Sequence, residues 1–225
     1  VAEAGFEPDG RMLALGSYEN RVYQVGIEGA PALVVKFYRP GRWSDAAIAE
    51  EHAFALELAT AELPVVAPLL IEGRSLFALD GFRYSLYPRQ GGREPELESK
   101  QNLEWMGRLL ARIHGVGSRA TFTQRGRIDV QTFLRDPSRE VLDSTLLPTQ
   151  LHSRYRKLVD GLAQRIDRRF ADCAPLRQIR LHGDCHRGNV LWTDAGPHFV
   201  DLDDARMGPA VQDLWMLAPS AQALD

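Results

Sequence analysis

Apolar positions recur along the chain with two different periods, and the change from one to the other divides it. From Leu13 to Tyr38 the spacing predicts strand, turn, strand: Arg21 to Ile27 alternates in part, Glu28-Gly29-Ala30-Pro31 breaks the pattern, and Leu33 to Tyr38 resumes with β-branched and aromatic residues. Pro64 to Ile71, Ser75 to Leu79 and Phe82 to Tyr87 read as two or three further strands that complete a small sheet. Between them Ser44 is placed to cap a helix running from Asp45 to about Ala59, with Ile48, Glu51, Phe54, Ala55 and Leu58 on one stripe. Pro88 to Pro95 interrupts the chain with turn-forming residues and predicts a hinge. Beyond it the period is helical. Leu103, Met106, Leu110 and Ile113 share a face of a helix that starts at Ser99 and ends around Gly115 and Gly117. Tyr155, Leu158, Leu162, Ile166 and Phe170 predict the core-facing stripe of a second helix, Leu151 to Phe170, whose other faces are crowded with Arg and Lys. Residues 120–148 are mixed and turn-rich and predict no element.

Composition narrows the class without naming a function. The 225 residues suit one large or two small domains, and 44% hydrophobic with 25% charged residues is ordinary for a globular chain. A net charge of −3 supplies no basic field, so no nucleic-acid partner is expected. Cys173 and Cys185 are too few for a disulfide framework, which points to a reducing cytoplasm. No apolar run approaches the roughly 20 residues of a membrane span, and no charged leader precedes one, so neither secretion nor membrane insertion is expected. The start at Val1 and the apolar segment Val211 to Leu217 close to the end suggest a piece of a longer protein.

Against this background, Leu181-His182-Gly183-Asp184-Cys185-His186-Arg187-Gly188-Asn189, followed by Asp201 after the short run Phe199-Val200, carries candidate chemistry. Phosphoryl transfer needs parts in this order: an aspartate (Asp184) that takes or orients the acceptor proton, then Asn189 and Asp201 as oxygen ligands for Mg²⁺. Lys36, charged within an apolar strand, is positioned to meet the phosphates of ATP, although a solvent-facing edge position accounts for it too. Glu51 lies on the apolar stripe of its helix whereas Glu50 falls beside Glu57 on the wetter side. A buried acid requires a cation, so Glu51 is assigned to Lys36. Leu15 to Arg21 reads either as a hairpin turn or as a loop that covers phosphates with backbone N–H groups and the Ser17 hydroxyl. Backbone groups near Leu86 and Tyr87 are expected to meet the adenine. His114, His182, Cys185, His186 and Asp213 read as scaffolding, Asp213 as the anchor of the active loop. Zinc is set aside because no third and fourth ligand follows.

These motifs resemble the stress response kinase A family, the RdoA-type bacterial kinases of the aminoglycoside-phosphotransferase and choline-kinase branch. The resemblance rests on Ser17 to Gln24, Val34 to Pro40, Leu181 to Trp192 and Phe199 to Leu217. It implies an α+β, protein-kinase-like fold of two lobes, an antiparallel-sheet lobe over residues 1–88 and a mainly helical lobe over 89–225 whose last helices lie beyond the chain. It implies catalytic Asp184 and Asp201, ATP-binding Ser17, Lys36 and Glu51, and metal-binding Asn189 and Asp201. The implied activity is Mg²⁺- and ATP-dependent phosphorylation of Ser and Thr on proteins, the enzyme included, by a cytoplasmic monomer that supports survival under envelope and oxidative stress. A small-molecule kinase of the aminoglycoside, choline or homoserine type and a nucleotide-binding pseudokinase are the alternatives.

Overall fold

A computed structural model describes residues 1–218. Five antiparallel strands, β1 (Pro8–Leu15), β2 (Arg21–Ile27), β3 (Ala30–Phe37), β4 (Phe77–Leu79) and β5 (Phe82–Pro88), form one sheet in the order β1-β2-β3-β5-β4. β1 is absent from the sequence reading because most of its side chains are exposed, so no buried face imposes alternation on it. Lys36 stands opposite Val22 on β2 and Ser85 on β5, in the middle of the sheet.

The strand expected over Pro64 to Ile71 does not form. Pro64 and Pro68 cannot donate to a ladder, and the segment makes only isolated bridges, one of them joining Val65 to Phe199. Helix α1 (Asp45–Thr60) begins where predicted, with the Ser44 hydroxyl accepting from the Ala47 N–H at 3.1 Å. Its stripe is buried, and Phe54 and Leu58 join Leu97, Met106, Leu110, Ile113, Phe199 and Leu202 in the main core. One helix of the sheet half therefore packs into the helical half.

Helix α2 (Lys100–Gly117) supplies Met106, Leu110 and Ile113 to that core and runs to Gly117. The stretch left unassigned holds a π-helical turn, Gln131–Arg135, and α3 (Asp136–Asp143). Helix α4 (His152–Asp172) forms where expected but with another face inward: Val159 and Ala163 are buried, whereas Leu158 is 61% exposed and Leu162 and Ile166 are exposed as well. Small residues let the helix sit close to its neighbours, the π-helical turn and α3, and the leucine stripe faces away from them. Short strands β6 (Ile179–Arg180), β7 (Val190–Thr193), β8 (Gly196–Phe199) and β9 (Met207–Gly208) frame the candidate loop, and α5 (Val211–Trp215) follows. The β7–β8 hairpin turns between Thr193 and Gly196. Among the described residues no helix is long and apolar enough to cross a membrane. The expected cut in the helical lobe falls at residues outside those described.

Candidate active site

The loop between β1 and β2, strand β3 and the segment after β8 enclose a cleft of about 270 Å³ lined by Ser17, Lys36, Glu51, Tyr87, Asn189 and Asp201. Of the predicted site residues Asp184 lies outside its lining, and so does Leu86, which is fully buried, whereas its neighbour Tyr87 lines the cleft. A larger cavity of about 600 Å³, near Glu3, Arg74 and Tyr84, contains none of them.

Asp201 has left-handed backbone angles, φ 59° and ψ 66°. Aspartate tolerates that region better than most residues, and such strain concentrates at functional sites. Its Oδ1 lies 2.7 Å from Lys36 Nζ, and Asp203 Oδ1 lies 3.3 Å from the same nitrogen. Burial opposes a charge on Lys36, but the two carboxylates outweigh it and raise the ammonium above its ordinary pKa. Burial likewise opposes the Asp201 carboxylate, and Lys36 overrides it, lowering that pKa. The cleft floor is thus a triad in which Lys36 and Asp203 are buried while the Asp201 side chain, 42% exposed, opens to the cleft.

The expected ion pair between Lys36 and Glu51 is not made. Lys36 is occupied by Asp201 and Asp203, while Glu51 Oε2 has no hydrogen-bond partner and lies 3.6 Å from His52 Nε2. Burial dominates there and pushes the Glu51 carboxyl up to about 7. Glu51 still lines the cleft, close enough to respond to Lys36.

Asp184 sits on a loop clamped from below. Asp213 accepts the N–H groups of His182 at 3.0 Å and Gly183 at 2.9 Å and pairs with His114 at 2.9 Å, the anchoring role the sequence suggests. Gly183 has φ 88°, and a Cβ there would run into the Asp204 carbonyl, so no other residue fits. The Asn189 amide donates to the Asp184 carbonyl at 2.9 Å and to its Oδ2 at 3.3 Å. Asn189 Oδ1 and Asp201 Oδ2 are left without protein donors among the described residues, two hard oxygens of the kind Mg²⁺ takes when substrate phosphates complete its shell. Cys185 is wholly buried, and burial raises its thiol pKa, which removes it as a nucleophile.

Several residues were invisible to sequence reasoning. Glu50, read as solvated, accepts the N–H groups of Thr123 and Gln124 at 2.8 Å and of Arg125 at 3.2 Å. Arg125 in turn bonds the Ala47 carbonyl at 2.9 Å and the Asp203 and Ala205 carbonyls, with its guanidinium 4.0 Å above the Trp43 ring. These contacts tie α1 to the Asp201 segment through Arg125, which lies 78 residues from Ala47 on one side and 80 from Ala205 on the other, and no local pattern signals them. Arg125→Met keeps the stem but takes the guanidinium donor from the Asp203 and Ala205 carbonyls and the second donor from the Ala47 carbonyl of α1. It is expected to lower unfolding stability by about 3 kcal/mol, read as a denaturant midpoint; an unchanged midpoint would contradict the clamp.

His52 is equally buried, with Tyr38 Oη at 2.7 Å and Ser75 Oγ at 2.8 Å. Burial, then Lys36 and Arg125, depress its pKa from 6.5 to about 3. The unfolded chain therefore binds this proton first, and stability is lost as pH falls from 6.5 towards 3. Glu51 acts oppositely, its stability contribution fading as pH rises from 4.5 through about 7. His52→Gln, neutral throughout, is expected to flatten the acid limb by up to about 1.4 kcal/mol per pH unit. Superimposable pH–stability curves for variant and parent would refute this.

The antiparallel sheet, the helical half behind it and the cleft between them make up a kinase-like α+β fold. The profile of the phosphotransferase enzyme family (APH) matches residues 12–224, and the chain belongs to that family. Stress response kinase A of Salmonella choleraesuis (strain SC-B67) is 47% identical over 217 residues, which make up 96% of this chain and 65% of that protein. The serine/threonine protein kinase RdoA of Salmonella typhimurium (strain LT2) is also 47% identical over 217 residues. The chain thus spans about 65% of the length of these relatives. Amicoumacin kinase hAmiN, solved in complex with AMP-PNP, Ca²⁺ and Ami, shares the fold with TM-score 0.74 at 18% identity, over 98% of this chain and 70% of that one. The resemblance to the stress response kinase A proteins and the kinase-like α+β fold are both borne out.

Proposed function

We propose that the whole protein transfers the γ-phosphoryl group of Mg-ATP to Ser and Thr hydroxyls of proteins, itself included, in the cytoplasm as part of a response to envelope and oxidative stress. One observation carries the reading. Residues from both ends of the chain, Ser17 from the β1–β2 loop, Lys36 from β3 and Asn189 and Asp201 from the C-terminal half, line a single cleft, with Asn189 bonded to Asp184. The name of the RdoA relative supports a protein acceptor.

In this reading the lobes divide near residue 88, where β5 ends, and Tyr87, Pro88 and Gln90 flank the adenine. Lys36 offers its charge to the phosphates and Ser17 caps them from the loop above. Asn189 and Asp201 would hold Mg²⁺, which when bound neutralises phosphate charge. Asp184 accepts or orients the acceptor hydroxyl proton, and its backbone is fixed by Asn189 and the Asp213 clamp. Catalysis is then positioning and charge stabilisation.

The test is full-length protein with γ-labelled ATP and Mg²⁺, offered a protein mixture and, separately, a panel of amino alcohols and aminoglycosides. Label on protein Ser and Thr is expected. Label on a metabolite alone would make it a small-molecule kinase, and Mg-ATP stabilisation without turnover a pseudokinase.

A further inference from the structure

We infer that Asp203 is a positioning residue that fastens the loop over the phosphates, Ser17 to Asn20, to the segment carrying Asp201; the inference rests on the phosphotransfer reading above. Asp203 is 3% exposed, and its Oδ2 accepts from the Asn20 amide nitrogen at 3.2 Å and from Arg42. Its Oδ1 faces Lys36. One buried carboxylate therefore gathers the nucleotide loop, the cleft lysine and Arg42 in the segment between β3 and α1.

Asn20 is built into the loop from the other side. It is 3% exposed, its Oδ1 accepts the Arg39 N–H at 3.2 Å, and its own N–H reaches Ser17 Oγ at 3.3 Å. The loop tip is free, with Tyr18 94% exposed, while its far end is pinned. A role for Asp203 as a mere counter-ion of Arg42 does not account for this. Arg42 already makes a two-point contact with Asp204, at 2.9 and 3.0 Å, whereas Asp203 provides the acceptor of the Asn20 amide among the described residues.

The consequence is functional coupling. Only Leu202 separates Asp201 from Asp203, so the pin on the loop and the expected metal ligand move together. A loop already ordered before nucleotide arrives loses less freedom on binding. Removing the pin is expected to weaken ATP binding more than it slows the transfer itself.

The experiment uses the full-length protein and the variants Asn20→Ala, Asp203→Ala and the double variant. Amide hydrogen exchange without nucleotide is expected to rise at least tenfold at residues 16–20 in each single variant, with no further rise in the double. KM for ATP is expected to rise about tenfold while kcat stays within threefold in Asn20→Ala. Unchanged exchange at 16–20, exchange raised equally throughout the chain, effects that multiply in the double variant, or kcat lost at constant KM would each overturn the assignment. Should Asp203→Ala fail to fold, Asn20→Ala alone decides, because it cuts the same link without touching the buried charges. A parent protein that binds ATP without turnover would defeat the phosphotransfer reading, and the exchange comparison would still judge the pin.

Discussion

Asp184→Asn is expected to lower phosphoryl transfer by about 10³-fold, within the range a positioned general base contributes, and to leave KM for ATP within about threefold. The substitution is close to isosteric. An amide at this position can still meet Asn189, which bonds both the backbone carbonyl and the side chain of Asp184. The Asp213 clamp acts on His182 and Gly183 and is untouched. What disappears is the group that receives a proton. Steady-state kinetics with the labelled-ATP assay reads both parameters; a loss below tenfold, or one confined to KM, would assign Asp184 to scaffolding.

Lys36→Met is expected to abolish ATP-dependent turnover and to destabilise the nucleotide-free protein by about 3–5 kcal/mol, the usual cost of removing one partner from a buried ion pair. The reason is the triad. Without the ammonium, the buried Asp203 keeps only Arg42 as a cation in contact, and Asp201, which opens to the cleft, loses its one ion-pair partner among the described residues. Glu51→Gln provides the comparison. Lys36 makes no ion pair with Glu51, and the Glu51 carboxyl is pushed up to about 7, so a neutral amide there is expected to cost under about 1 kcal/mol at neutral pH. Equal losses for the two variants would restore the Lys36–Glu51 pair inferred from the helix stripe.

That contrast shows where sequence reasoning reaches and where it stops. Glu51 was found because a helix stripe has a fixed period, and its burial follows from that period alone. Its partner could not be, since which carboxylate reaches Lys36 depends on how a segment about 165 residues away turns at Asp201. Asp184, Asn189 and Asp201 were legible because their spacing is short and local. Asp203, Asn20, Glu50 and Arg125 were not, because each acts through a contact with a distant element. In α4 the periodicity located the helix, yet the stripe it predicted as inward faces outward, since Val159 and Ala163 make the closer fit. The prolines at 64 and 68 were visible and outweigh the apolar run they interrupt.

A crystal structure of the protein with Mg²⁺ and AMP-PNP tests the central claim most directly. The account predicts nucleotide in the cleft between Ser17 and Asp201, the metal about 2.1 Å from oxygens of Asn189 and Asp201, Lys36 on the phosphates, and the γ-phosphate directed towards Asp184. Nucleotide lodged elsewhere, as in the cavity beside Tyr84, or a metal that touches neither Asn189 nor Asp201, would contradict it.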